Sequence, residues 1–204
     1  MKNKPELTFR RGNRVDLRLL CEEDAPLLVT WMNDHTITQY LASRTPITVE
    51  AEIEWIKKGR ESKDSYNFGI ETKEGELIGC LGFGKIDMID RTARSGACIG
   101  NKKFWGKGFG TEAKMLLLDF AFNTLNIRKM CSGAIAFNER SIAYQKKCGG
   151  VIEGTLKNQR YVNGIYWDEI LFAVYKDDWV PLWKKYKKEH KIAEGVICGD
   201  SEED

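Results

Sequence analysis

Along the chain the spacing of apolar positions changes period several times, and each change marks an element. Val15-Asp16-Leu17-Arg18-Leu19-Leu20 alternates with period two, which predicts a strand with one face inward. Beyond Glu22-Glu23-Asp24, the residues Leu27, Leu28, Trp31 and Met32 form the apolar face of a helix that Asn33-Asp34 closes. Residues 37–45 read as a loop with a hydrophobic turn at Tyr40-Leu41. Thr48 caps a second helix with Ile53, Trp55 and Ile56 inward, and Glu50 and Glu52 put acid in its first turn. Residues 66–71 and 76–85, with Glu74-Gly75 between them, predict a hairpin.

A short apolar run at 94–99 predicts the next strand. From Thr111 the residues Met115, Leu116, Leu117, Phe120 and Ala121 recur at helical spacing, and Asn123 suits the end of that helix. Residues 129–136 read as a strand, and Asn138 opens a short helix that stops at Gly149-Gly150. Two more strands, 151–160 and 167–175, flank Asn163-Gly164, a strong hairpin signal. Trp179, Leu182, Trp183 and Tyr186 give residues 178–189 an amphipathic helix. The predicted order is β-α-α-β-β-β-α-β-α-β-β, an α/β (α+β) chain with about seven strands.

Composition narrows the chemistry. A chain of 204 residues with 42% hydrophobic content predicts one domain, spanning 1–194, with the acidic residues 195–204 as a frayed tail. The formal charge of +2 makes no whole-chain demand for nucleic acid or a membrane, and the lysines of the last helix read as a solvated face. Six cysteines are widely spread with no C-x-x-C pair, so neither a zinc ribbon nor a redox motif is available. Cys80, Cys98 and Cys131 lie in apolar runs and read as core thiols. With only His35 and His190, no metal is expected and a Ser-His-Asp relay is nearly excluded. The opening residues lack an apolar leader and no 18-residue apolar run exists, which predicts a cytoplasmic chain.

The stretch most specific for function is residues 95–113. A strand ends at Ile99, a basic loop follows, and a helix begins near Thr111. Gly106, Gly108 and Gly110 alternate, so the backbone there can take positive φ and approach a ligand closely. Successive N–H groups leading into a helix N-terminus form an anion site. A Walker A loop does not fit, because five residues separate Gly100 from Gly106 and Gly108 follows Lys107. The dinucleotide fingerprint fails at Thr111, where its third glycine belongs.

Trp105-Gly106-Lys107-Gly108-Phe109-Gly110-Thr111 resembles the acetyl-CoA pyrophosphate loop of the GNAT N-acetyltransferase superfamily, in its RimJ/RimL-like branch. That pattern is Arg or Gln, two residues, Gly, one residue, then Gly or Ala, and Trp105 stands in the first position. Asn138-Glu139-Arg140-Ser141 followed by Lys147-Cys148-Gly149-Gly150 resembles a second motif of the same branch, with Cys148 and Gly150 replacing Leu and Phe.

The resemblance implies a GNAT fold, a mixed and mostly antiparallel sheet splayed at the cofactor site and flanked by helices. It also implies direct transfer of acetyl from acetyl-CoA to a primary amine: a polyamine, an aminoglycoside, an amino sugar or a protein N-terminus. Cofactor contacts are expected from Cys98, Ile99, Gly100, Trp105, Gly106, Lys107, Gly108, Phe109, Gly110, Thr111, Asn138, Ser141 and Lys147. A bulge near the end of strand 94–99 would aim an N–H at the thioester oxygen. Asn138 is equally a plain N-cap.

Relatives place a Tyr four residues after that Ser to protonate the departing thiolate. Here the position is Gln145, and Tyr144 is the candidate acid. The usual Ala-Glu pair is Ala93-Arg94, leaving Glu71, Asp87, Asp90 and Asp34 as candidate bases. The acceptor pocket is expected between residues 31–46 and the 162–167 turn, with Asp34, Glu50, Glu52 and Asp168 suiting a cationic acceptor. A CoA-binding sensor without turnover is the alternative reading, and a homodimer is compatible with the resemblance.

Overall fold

The computed structural model describes residues 7–192, so the acidic segment 195–204 lies outside the described residues. Strands β1 (Thr8–Arg11) and β2 (Val15–Leu19) pair at one edge of the sheet. β3 (Ser65–Thr72), β4 (Leu77–Asp87) and β5 (Thr92–Ile99) continue it antiparallel. β6 (Lys129–Ile135) runs parallel to β5, and β8 (Ile165–Tyr175) and then β7 (Val151–Val162) complete the order β1-β2-β3-β4-β5-β6-β8-β7.

The sheet is thus mixed and mostly antiparallel with eight strands, one more than the periodicity predicts. The extra one is β1, whose four residues carry no clear alternation of their own. It is held by pairing with β2 and by Phe9, which stacks on Phe68 at 4.9 Å and meets Phe120 edge-on at 4.8 Å.

Helices α1 (Ala25–Met32), α2 (His35–Thr38) and α3 (Val49–Glu61) form a smaller core with Leu20 and Leu77 through Leu28, Trp31, Ile37 and Ile56. The larger core joins α4 (Phe109–Asp119) and α6 (Lys176–His190) to the sheet through Met115, Leu117, Trp179 and Trp183, with α5 (Glu139–Lys147) contributing Tyr144. Cys80 and Leu81 are neighbours in β4 yet join different cores, so the two cores lie on opposite faces of the sheet.

Local details depart from the sequence reading for physical reasons. Residues 37–45 do not form a loop throughout. Asp34 Oδ1 accepts the Thr36 N–H at 2.8 Å, and that cap supports the one-turn α2. Trp55 is 40% exposed while Ile56 is buried, because Ile56 rather than its neighbour falls on the inward stripe of α3. Helix α4 begins at Phe109, two residues early, on Gly108 held at φ +85.

The Asn163-Gly164 turn has positive φ at both residues, 50 and 84, so its strands run up to Val162 and Ile165. The bulge expected near the end of β5 is absent there: β5 pairs regularly with β4 from Arg94↔Gly84 to Ile99↔Gly79. The register shift falls instead between Gly84 and Asp87 of β4, where Lys85 takes φ +51.

One feature of the sheet positions the site. β5 and β6 pair only at Thr92↔Lys129, Ala93↔Met130 and Arg94↔Cys131. Beyond these β5 stays with β4 and β6 stays with β8, so the two strands part and leave a wedge between them.

Candidate active site

The wedge opens a cavity of about 640 Å³ that reaches from the glycine loop to residues 37–42. At its loop end, Gly106 (φ +71) and Gly108 (φ +85) turn the chain into α4, conformations that favour glycine. Trp105 N–H bonds Lys102 O at 3.1 Å, and the next bonded amide is Glu112, which donates to Gly108 O at 3.1 Å. Between them, the N–H groups of residues 106–111 find no acceptor among the described residues. They sit at the positive end of α4, an arrangement suited to an anion.

The loop is fixed from behind by the fully buried Glu112. Its carboxylate accepts Arg14 N at 2.7 Å, Arg14 Nε at 3.1 Å and Val15 N at 3.3 Å. Arg14 Nη1 then donates to Lys107 O at 2.9 Å. From the front, Trp105 Nε1 donates to Ile99 O at 2.6 Å, and the Arg140 guanidinium lies 3.8 Å from its ring centroid.

Among the residues expected at the cofactor, Cys98, Ile99, Trp105, Gly106, Gly108, Gly110, Thr111, Asn138, Ser141 and Lys147 border the cavity, as does Tyr144. Gly100, Lys107 and Phe109 do not. A Cβ on Gly100 would stand 1.9 Å from Trp31 Cδ2, so this glycine is required for packing against α1. Phe109 meets Phe104 edge-on at 5.0 Å, beneath Arg14, and the Lys107 side chain is exposed. Asn138 is the N-cap of α5, its Oδ1 accepting Ser141 N at 3.1 Å.

The thiols and the phenol differ in what they can do. Burial pushes Cys98 and Cys148 up to about 12, which removes them as nucleophiles near neutrality. Burial also raises the Tyr144 phenol well above 10, so it stays protonated and able to donate. Both Tyr144 and Gln145 border the cavity, and Gln145 Oε1 is buried with no hydrogen-bond partner among the described residues. Behind β5, the buried Lys114 donates to Ser95 Oγ, and burial pulls its ammonium down to about 8.

The carboxylates expected to serve as bases stand elsewhere. Glu71 accepts Arg18 Nε at 2.6 Å, Asp34 pairs with Lys102 at 2.7 Å, and Asp87 accepts the Ile89 and Asp90 amides. Asp168 pairs with Lys157 at 2.8 Å, and Asp90, Glu50 and Glu52 do not line the cavity either.

The carboxylate that does line it is Glu169 of β8, buried and held by Arg94 Nη2 at 3.0 Å and by Arg160 Nε and Nη2 at 2.9 Å each. Sequence reasoning missed this cluster. The one available signal was the Asn163-Gly164 turn, which sets Arg160 opposite Trp167 and so puts Arg160 and Glu169 diagonally on one face.

Comparison with known proteins agrees with this geometry. Residues 14–151 match the acetyltransferase (GNAT) domain family. YdaF of Bacillus subtilis strain 168, provisionally named a ribosomal N-acetyltransferase, is 32% identical over 178 residues, covering 84% of this chain and 97% of its own. The spermidine N(1)-acetyltransferase of Escherichia coli K12 is 29% identical over 181 residues, covering 88% and 92%. The crystal structure of spermidine N-acetyltransferase from Vibrio cholerae, in complex with CoA and spermine, superposes with a TM-score of 0.77 over 83% of this chain and 99% of its own, at 24% identity. The wedge between β5 and β6, the glycine loop at its end and the match over residues 14–151 converge: the chain belongs to the GNAT acetyltransferase family.

Proposed function

We propose that the protein transfers the acetyl group of acetyl-CoA to a primary amine, working in the cytoplasm as a RimJ/RimL-like enzyme. The observation that carries this reading is the run of unpaired N–H groups at residues 106–111, placed where the wedge between β5 and β6 opens. Acetyl-CoA would supply the activated acetyl thioester. The loop amides hold its diphosphate, and Asn138, Ser141 and Lys147 border the path of its pantetheine arm. Past Arg94, N–H groups of β5 face the wedge without a strand beside them, and they stabilise the oxygen on which charge develops. As the amine attacks the carbonyl carbon and the C–S bond breaks, the amine's proton leaves to water, and the Tyr144 phenol, which holds its proton at neutral pH, donates a hydrogen bond to the departing sulfur.

The acceptor approaches from the face of α1 and α2, where Ile37, Tyr40 and Leu41 border the cavity. A sensor without turnover is the competing reading, and it predicts CoA binding with no thiol release on any amine. Two measurements test the reading. Calorimetry is expected to detect CoA binding that Gly108→Val abolishes. Thiol release from acetyl-CoA is expected with at least one member of a panel of amines. Absence of CoA binding by the intact chain sinks the reading.

A further inference from the structure

The charged lining of the cavity is positive on balance, with Lys85, Arg94, Arg140, Lys147 and Arg160 against the single carboxylate of Glu169. Arg140 and Lys147 belong to α5, and Arg140 stacks on Trp105 of the glycine loop, so this pair falls to the cofactor's side of the cavity. Arg94 and Arg160 do not. Arg94 precedes the end of β5 by five residues, roughly 17 Å of extended chain from Ile99. It marks the last rung before the wedge opens, on the sheet face that carries Glu169 and Arg160.

The cluster is built. Glu169 is 4% exposed, whereas the Arg94 side chain is 41% exposed and faces the cavity. Glu169 takes one N–H from Arg94 and two from Arg160. Each guanidinium carries five donors, so both keep donors for a further acceptor. Two guanidiniums share one carboxylate, and the cluster retains a net positive charge. Gly133 makes room for it, since a Cβ there would stand 2.3 Å from Glu169 Oε1 and 2.9 Å from Arg94 Nη2. Guanidinium pairs held in this way suit carboxylate or phosphate, and a cleft of low polarizability strengthens the preference. A polycation entering the same cleft meets like charge on β5 and β7 and an acid already paired.

Resting on the acetyl-transfer reading, we infer that the acceptor is a small primary amine that also carries a carboxylate or phosphate, and that Arg94 and Arg160, set in place by Glu169, bind that anionic group. The amine end then points along the wedge toward the acetyl group while the anion stays on the arginines.

The test compares acceptors in matched pairs. Glucosamine 6-phosphate is set against glucosamine for the phosphate arm, and an α-amino acid against its amide for the carboxylate arm, with spermidine as the polycation. Binding to the CoA-loaded protein is read by calorimetry, and turnover by thiol release. The anionic member of at least one pair is expected to bind at least about tenfold more tightly than its partner and than spermidine. Which arm responds separates phosphate from carboxylate. Arg94→Gln is expected to cut kcat/KM for the anionic member about tenfold more than for its partner, and Arg94→Lys to restore part of the loss. Arg160→Gln serves as a second variant, since a general loss of folding would lower both members together.

Tighter binding of spermidine or of the uncharged partners than of both anionic amines overturns the inference while leaving acetyl transfer intact. Failure of CoA itself to bind overturns the reading beneath it, and is read separately.

Discussion

Residue-scale behaviour is dominated by a few polar groups taken out of water. Lys114 is the extreme case, 2% exposed and pulled from 10.5 to about 8 by burial. Its folded value lies below its unfolded one, so the unfolded chain binds the extra proton between these limits. This lysine therefore costs stability below pH 8, and the cost fades as pH rises toward 10.5. Lys114→Met is expected to stabilise the protein at pH 7 by about 2 kcal/mol, within the roughly 3 kcal/mol that the displacement represents. Thermal melts from pH 7 to 10 check this, and the gain should shrink across that range. Tyr144 gives the functional counterpart: Tyr144→Phe is expected to lower kcat about tenfold or more while CoA affinity holds, measured by thiol release and calorimetry. Unchanged turnover would remove the phenol from the chemistry.

Elements were legible where periodicity and punctuation agreed, and were lost where distant contacts decided. Thr48 could be read as a cap from the chain alone, and its Oγ1 does accept Ala51 N at 3.2 Å. Asn163-Gly164 announced its hairpin, because only residues tolerant of positive φ fit such a turn. β1 had no such mark, and neither did the change of direction that puts a bulge at Lys85 rather than in β5. Glu169 stands at the head of an apolar strand with nothing nearby in sequence to single it out, and its two arginine partners come from β5 and β7, 75 and 9 residues away. The glycine loop is the easiest part of the candidate site to read, since the anion-binding role proposed for it rests on contiguous backbone. Its neighbour Gly100 has a different duty, accommodating the Trp31 ring. Gly100→Ala is expected to push α1 off the end of β5 and cost about 1–3 kcal/mol in thermal unfolding, with altered tryptophan fluorescence. Gly154→Ala, where a Cβ meets nothing within 4 Å, should cost markedly less.

For the whole molecule, the sheet is continuous except at one place. β1 to β5 form one hydrogen-bonded run and β6, β8 and β7 another, joined by three paired positions. Side chains add further links: Arg94 of β5 donates to Glu169 of β8, and Arg44 Nη1 donates to Tyr161 O of β7. Hydrogen exchange should therefore report ligand binding locally: with CoA, the amides of residues 106–111 are expected to slow strongly, and those at the centre of β3 hardly at all. Saturation at about 100 times Kd adds roughly 2.7 kcal/mol to global stability. The parted strands also mean that the protein resembles an arch missing its keystone. A ligand backbone lying in the wedge would contribute rungs that the polypeptide itself does not supply, so stiffness and occupancy should rise together.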